Sequence, residues 1–361
     1  MVRHLYVHIP FCPKVCPYCS FYKEASDRNK TKGFLDALLA EADTAAEGLR
    51  PETIFFGGGT PTALSTAQLQ FLIGGLRERI DFSALKEFTI EMNPATVSHE
   101  KASALLELGI NRVSMGVQSW NDRLLGTLGR VHSAAQARRS YEILREVGVR
   151  NINLDLMFGI PGQAEADWKE SLLRTLDLAP DHISAYCLTY EEDTEYFRRF
   201  TSGEYVPVEG TDADFFELAM DLLGAAGFEQ YEISNHARPG RECLHNLAYW
   251  QGAEYAGLGP SAFSTRNGIR RQNIPNTSEY IRRIESGIPR HDFEEAISPE
   301  VRRSEITAFL LRTNRGISAD GSDPKTIQNL VTHGLVEADA DRLRLTRKGK
   351  LVADAVAAEL L

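Results

Sequence analysis

Residues 4–21 read HLYVHIPFCPKVCPYCSF, an apolar run that breaks into Cys12, Cys16 and Cys19 within eight residues. Three of the chain's five cysteines lie here. In a reducing cytosol such a cluster points to a metal or an iron–sulfur centre rather than to a disulfide. The number three is informative, because structural zinc sites are closed by four protein ligands. Three thiolates instead hold a cubane cluster and leave one iron open. Zinc completed by Cys187, Cys243 or a distant histidine is the competing reading. The stretch Leu5–Phe11 is short, carries His8 and Pro10, and leads into cysteines instead of a small-residue cleavage site, so it is expected to be a strand and not a signal peptide.

Outward from this stretch, short β-rich runs alternate with amphipathic helices. After Leu5–Ile9, residues Phe34, Leu35, Leu38, Leu39 and Ala42 recur at helical spacing. Thr53–Phe56 ends in Gly57, Gly58 and Gly59, and Ser65 with Gln68 reads as a capping box ahead of Leu69, Leu72, Ile73 and Leu76. Phe88–Met92 and Arg112–Val117 are each followed by a helix that stops at a glycine, Gly109 and Gly148. Asn151–Met157 and His182–Leu188 flank a helix around Trp168–Leu178. Such alternation predicts an α/β fold with a parallel sheet and right-handed crossovers. Six units are too few for an eight-fold barrel, which leaves a partial barrel or a doubly wound sheet.

The remaining composition excludes several classes. At 361 residues the chain can bury a large core, and a formal charge of −10 argues against a broad nucleic-acid or anionic-membrane surface. No apolar run is long enough to predict a transmembrane helix, and a cytoplasmic location is expected.

Polar and glycine residues gather just after the strands, where ligands bind in either architecture. They are the cysteine loop, Gly57-Gly58-Gly59-Thr60-Pro61, Glu91 with Asn93 and Pro94, Gln118 with Ser119, and Asp155. Glycines there would let backbone approach a ligand, although they also make tight turns, and each polar residue taken alone also suits a helix cap. Their common placement predicts one site.

Cys12-x3-Cys16-x2-Cys19, with Tyr18 before the last cysteine, resembles the signature of radical S-adenosylmethionine (SAM) proteins. Tyr6-Val7-His8-Ile9-Pro10-Phe11-Cys12, the Gly-Gly-Gly-Thr-Pro run, Ser114–Ser119 and Asp155–Gly162 resemble its oxygen-independent coproporphyrinogen III oxidase branch over nearly the whole chain. The resemblance implies a partial (β/α)6 barrel of the radical SAM type. It also implies a [4Fe–4S] cluster on Cys12, Cys16 and Cys19, with SAM on the fourth iron. Tyr6, Tyr18, Gly58, Gly59, Thr60, Glu91, Gln118, Arg130 and Asp155 match SAM-contacting positions, and Arg130 has the fork that pairs with a carboxylate. No residue is singled out as catalytic.

Two departures from the oxidases matter. Their further cysteine, two positions after the third, is Phe21 here, and only eleven residues precede Cys12 where the oxidases carry a longer segment. Both features resemble a haem-chaperone branch of the same family and leave enzymatic turnover open. His245-Asn246-Leu247-Ala248-Tyr249-Trp250 matches an H-N-x-x-Y-W stretch of that branch, which implies haem binding at His245, an imidazole beside two aromatics. A buried histidine bonded to its surroundings is the alternative. Cys243 would share a face with His245 on an extended segment and is either a second ligand or a small buried residue. Cys187 is expected to be a core thiol.

Gly257–Phe263 reads as a glycine-rich turn returning to the SAM rim. From Ser298, helices through Val301, Ile306, Phe309 and Leu310 and through Ile327, Leu330 and Val331 precede a two-stranded wing, Leu335–Glu337 and Leu343–Thr346, turning at Asp339-Ala340-Asp341. This resembles the family's winged-helix-like C-terminal domain. Arg342, Arg344, Arg347, Lys348 and Lys350 are nearly balanced by nearby acids, so packing or partner docking is expected rather than nucleic-acid binding. The expected divisions are 1–235, a radical SAM barrel; 236–296, a connecting segment; and 297–361, the winged-helix-like domain. The function implied is binding of haem and a SAM-ligated cluster, with transfer of haem to an acceptor protein. The alternatives are radical SAM decarboxylation of coproporphyrinogen III and another radical SAM reaction on a tetrapyrrole.

Overall fold

The computed structural model describes residues 1–206, 210–339 and 342–361. Six strands are each followed by one or more helices: β1 (Val2–Ile9), β2 (Leu49–Gly58), β3 (Glu87–Met92), β4 (Arg112–Gln118), β5 (Ile152–Phe158) and β6 (His182–Cys187). They lie side by side in chain order, every neighbouring pair parallel. A doubly wound sheet would reverse its order at a switch point. This sheet advances in one direction only, as a barrel does under right-handed crossovers. It does not close. Ala256–Leu258 adds parallel to β1 at one edge, and Asn235–Ala237 followed by Glu229–Gln230 adds antiparallel beyond β6, making nine strands among the described residues. The architecture is a partial six-unit barrel.

Alternation along each strand separates two faces. Leu5, Val7 and Ile9, Ile54 and Phe56, Phe88 and Ile90, Val113, Met115 and Val117, Ile152, Leu154 and Leu156, and Ile183 and Ala185 are buried in the main core under the helices. The alternate residues carry most of the polarity: His4, Tyr6 and His8, Thr53, Glu87 and Glu91, Arg112, Ser114 and Gln118, Asn153 and Asp155, and His182 and Ser184. Buried parallel strands ordinarily read as continuous apolar runs; here one face is polar, and Glu91, Arg112, Ser114, Gln118, Asn153, Asp155 and Ser184 of it line a cavity.

The helices are set as their sequences require. Ser65 and Gln68 form the reciprocal capping box at the start of Thr66–Arg79. Gly109 and Gly148 follow their helices with φ of +86° and +98°, a conformation other residues adopt only at a cost. Trp168 packs on Phe158 and donates its indole N–H to the Phe215 carbonyl at 2.8 Å, joining the helix Glu165–Asp177 to Thr211–Ala225.

Gly257 and Leu258 belong to an edge strand and not to a turn. A Cβ at Gly257 would stand 2.0 Å from the Phe263 carbonyl oxygen, so the backbone there fits only glycine. The turn is confined to the residues that follow, where Gly259 lies against the His8 carbonyl.

The chain's last part has its own small core of Leu311, Leu330, Val336, Leu343, Leu345 and Val356. Helices Pro299–Leu311 and Pro324–Thr332 pack with an antiparallel sheet of Ile317–Ser318, Arg342–Leu345 and Val336–Asp339. Ala340 and Asp341 of the expected wing turn lie outside the described residues.

Candidate functional site

The polar face encloses a cavity of about 540 Å³, a size suited to a small-molecule ligand. Its mouth is at the C-terminal ends of the strands. Tyr18, Cys19, Gly58, Gly59, Thr60, Glu91, Gln118, Arg130 and Asp155 all line it, so six separate segments of sequence converge on one space. Tyr6 is not among the lining residues. Its hydroxyl sits 3.1 Å from His8 Nδ1 and its ring stacks on Phe55.

The glycine triplet answers first to protein packing. A Cβ on Gly58, whose φ is +105°, would stand 2.5 Å from the His8 ring, and one on Gly59 would meet the Pro10 backbone at 2.7 Å. Close approach of the ends of β1 and β2 is therefore what excludes side chains at these two positions. Gly58 also donates its N–H to Glu91 Oε2 at 3.2 Å.

Glu91 and Asp155 are buried carboxyls facing the same cavity. Burial, and then the neighbouring Asp155, push Glu91 up to about 8, against the Gly58 N–H and the more distant Arg112 charge. Burial also raises Asp155, opposed by Ser184, Asn153, Arg112 and Ser114. Two carboxyls held above their ordinary range favour a cationic occupant, whose charge would draw both back to the ionised form. Other groups wait for partners. Gln118, at φ +67°, has a buried Oε1 with none, and Arg130 has a buried Nε with none, although its Nη2 donates to the Gly116 carbonyl at 2.7 Å.

The three loop cysteines are half-buried and unbridged. Thr60 Oγ1 approaches Cys12 Sγ at 3.6 Å and Arg130 Nη1 approaches Cys16 Sγ at 3.8 Å, while Lys23 donates to the Cys19 carbonyl. Among the described residues, no group of three or more His, Cys, Asp or Glu side chains is drawn close enough to hold a single metal ion. A cubane asks for something else, since it offers each thiolate a different iron. Donors already directed at Cys12 and Cys16 suit thiolate sulfur.

The residues near the strands' N-terminal ends form the cavity floor, and here several expectations need correction. His245 lies on the helix Leu244–Trp250, largely buried, with Nδ1 2.8 Å from Thr53 Oγ1, which also bonds His4 Nδ1 at 2.9 Å. Burial pushes its imidazole down to about 3, so it is neutral. The rings beside it are Phe55 and His4, not Tyr249 and Trp250, because those two turn towards Phe309 of the C-terminal part. Cys243 is the residue just before a helix, not part of an extended run through His245, and the His245 amide and the Cys243 thiol both meet Glu87 Oε1. That thiol is fully buried against Glu87, 3.4 Å away. Cys187, at the end of β6, is half-buried: it packs against the main core on one side and lines the cavity on the other.

Sequence reasoning missed Arg112, Asn153, Ser184, Asn235 and Asn246, which also line the cavity. The signal was present as a polar residue at every second position of strands that otherwise read as apolar.

Residues 6–174 match the family model for the radical SAM superfamily. The chain is 37% identical to the heme chaperone HemW of Bacillus subtilis over 371 residues, covering 98% of each chain. It is 39% identical to the heme chaperone HemW of Escherichia coli over 262 residues, 72% of this chain and 68% of that one. Its structure resembles that of the radical SAM enzyme coproporphyrinogen III oxidase (HemN) of Escherichia coli. That match has a TM-score of 0.88 and 25% identity, and covers 99% of this chain and 90% of the other.

Proposed function

The chain belongs to the HemW family of the radical SAM superfamily, and on that premise we propose that it is a haem chaperone, which binds haem and passes it to an acceptor protein. Membership brings a [4Fe–4S] cluster and SAM as cofactors. Cys12, Cys16 and Cys19 would hold three irons. Arg130 would take the SAM carboxylate in its fork, Glu91 and Asp155 the ammonium and ribose hydroxyls, and Gln118 a polar edge through its unpartnered Oε1. Tyr18, Gly58, Gly59 and Thr60 would form the wall against which SAM lies, and Tyr6 would act from behind through His8. When bound and reduced, the cluster supplies one-electron cleavage of the sulfonium carbon–sulfur bond; the protein's part is to position the pair and exclude water.

His245 is the haem ligand in this reading. Its Nδ1 bond to Thr53 fixes the ring and leaves Nε2 for iron, an arrangement usual among ligating histidines. Because the ring is packed against Phe55 and His4, iron reaches it when the helix Leu244–Trp250 lifts from the sheet. The barrel of residues 1–235 would carry the cofactors, 236–296 the haem ligand, and the winged-helix-like 297–361 would dock the acceptor. No helix of the described residues is long and apolar enough to cross a membrane.

The observation that favours a chaperone over a decarboxylase is Phe21. It lines the cavity and is 67% exposed, at the position where the oxidases resembled by this loop carry a thiol. The likeness to HemN keeps decarboxylation as the second reading. Anaerobic assay of the reconstituted protein separates the two. Haem uptake followed by transfer to an apo-acceptor, without conversion of coproporphyrinogen III, is expected; stoichiometric decarboxylation with SAM consumption would overturn the chaperone. His245→Ala should weaken haem binding and change its absorption spectrum, and an unaltered spectrum and affinity would remove His245 from the role.

A further inference from the structure

Arg112 opens β4 on the polar face and is 2% exposed, among the largest fully buried side chains in the molecule. Its neighbours along the outer face, Val113, Met115 and Val117, account for the strand's packing. The guanidinium itself is unaccounted for. Among the described residues it forms no ion pair and no hydrogen bond, and its Nε is wholly buried without a partner. The two carboxylates that act on it electrostatically are engaged elsewhere. Glu87 accepts from the Leu244 and His245 amides at 2.8 and 3.1 Å and faces the Cys243 thiol, while Asp155 accepts from Asn153 at 2.6 Å and from Ser114.

A buried guanidinium without a partner is costly, and a native interior keeps one where something outside the chain completes the pair. Arg112 lines the cavity, with Asn153, Asn235 and Asn246 beside it as uncharged hydrogen-bonding groups. Its planar fork matches a carboxylate in two parallel hydrogen bonds. Arg130 is held at the Gly116 carbonyl, four residues and roughly 13 Å of backbone along β4 from Arg112, so the two guanidinium groups are anchored at different levels of the cavity.

We propose that the cavity floor is a carboxylate-binding site anchored by Arg112, which takes the acidic arm of an organic ligand whose body lies higher in the cavity. A carboxylate arm fits two sources. One is the propionate of a tetrapyrrole, which rests on the haem-chaperone reading; the other is a small free acid, which does not.

The full-length chain tests both. Haem and its dimethyl ester, in which both propionates are blocked, are titrated into the wild type and into Arg112→Gln. The wild type is expected to bind haem at least tenfold more tightly than the ester, and Arg112→Gln to abolish that ratio by weakening haem alone. Propionate ion, with no haem present, is titrated in parallel while Tm is followed. A rise in the wild type that is absent in the variant supports the site for a small acid even if no haem binds, in which case only the chaperone reading fails. Should Arg112→Gln not fold, the haem-to-ester ratio of the wild type still tests the site, and Arg112→Lys, which keeps charge without the fork, is expected to show a reduced ratio. Equal affinity for haem and ester together with no propionate effect overturns the site. So does a variant that weakens haem and ester alike, since that marks Arg112 as structural.

Discussion

Glu91 is where burial and function pull hardest against each other. With its carboxyl pushed up to about 8, the folded chain holds a proton there that the unfolded chain releases near the ordinary value of 4.5. The sign follows from linkage. Between about 4.5 and 8 the folded state binds more protons at this group, so Glu91 favours folding at the lower pH and that contribution is lost as pH rises to about 8. The urea midpoint of the ligand-free protein should therefore fall between pH 5 and 8 by more in the wild type than in Glu91→Gln, and equal slopes would show that Glu91 is not the group responsible. Binding runs in the opposite direction. A cationic ligand prefers the ionised carboxylate, so SAM affinity should climb with pH towards 8 and climb less steeply in Glu91→Gln, where only Asp155 remains. Arg130→Ala should also weaken SAM, by tenfold or more if a forked carboxylate pair is lost. An unchanged dissociation constant in equilibrium titration would exclude that pairing.

Among the elements, the strands were legible and their inner face was not. Leu5, Val7 and Ile9 announce β1 by alternation, and the residues between them, His4, Tyr6 and His8, read as ordinary strand positions. That the same face carries Glu91, Arg112, Gln118 and Asp155 into one cavity depends on the sheet's unidirectional order and curvature, which no local pattern contains. Gly58, Glu91 and Gln118 were legible because each lies at or next to the end of a strand, whereas Asp155 sits in the middle of β5. Arg112 was missed because it begins a strand, and the cavity side of Cys187 was not legible because its run of apolar neighbours does not tell where β6 leaves the core. The helix at Leu244–Trp250 is not legible in the sequence, because nothing near Cys243 shows that a distant acid, Glu87, would cap it. Glu41 was equally invisible. On the helix Arg28–Ala45 its carboxylate is buried and bonds Arg290 Nε at 2.6 Å, Asn273 Nδ2 at 2.8 Å and the Gly259 N–H at 2.8 Å, with the Tyr280 hydroxyl completing the set. It ties the first helix to the segment that closes the β1 edge. Replacing Glu41 with Ala leaves Arg290 and three donors unpaired and should cost about 3–5 kcal/mol in urea unfolding. Adding Arg290→Met should return part of that loss; a strictly additive double variant would mean that the pair is not coupled.

At the scale of the whole molecule, the question is how the C-terminal part is joined to the barrel. Its own core involves no barrel strand, but several contacts cross to the rest of the chain, among them a forked pair in which Arg270 donates to both oxygens of Glu305 at 2.7 and 2.8 Å and a bond from Lys350 to Gln230 at 2.8 Å. Phe309 packs on Tyr249 and Trp250 with centroids 5.5 and 6.0 Å away, Thr313 bridges Glu232, and Arg347 pairs with Glu217 and Asp221. The Arg347 pairs are exposed and contribute little, so the aromatic contact and the part-buried Arg270–Glu305 fork should carry most of the docking. Tyr249 and Trp250 belong to the same helix as His245. Loosening Phe309 should therefore loosen the helix that carries His245, and on the proposed haem-chaperone reading this would couple acceptor docking to haem release. Phe309→Ala should raise amide exchange in Leu244–Trp250 and in Pro299–Leu311 together, leave β1 to β6 protected, and speed haem transfer to an acceptor. If exchange rises only within the C-terminal helices and transfer is unchanged, the two parts are mechanically independent and the coupling through this helix is wrong.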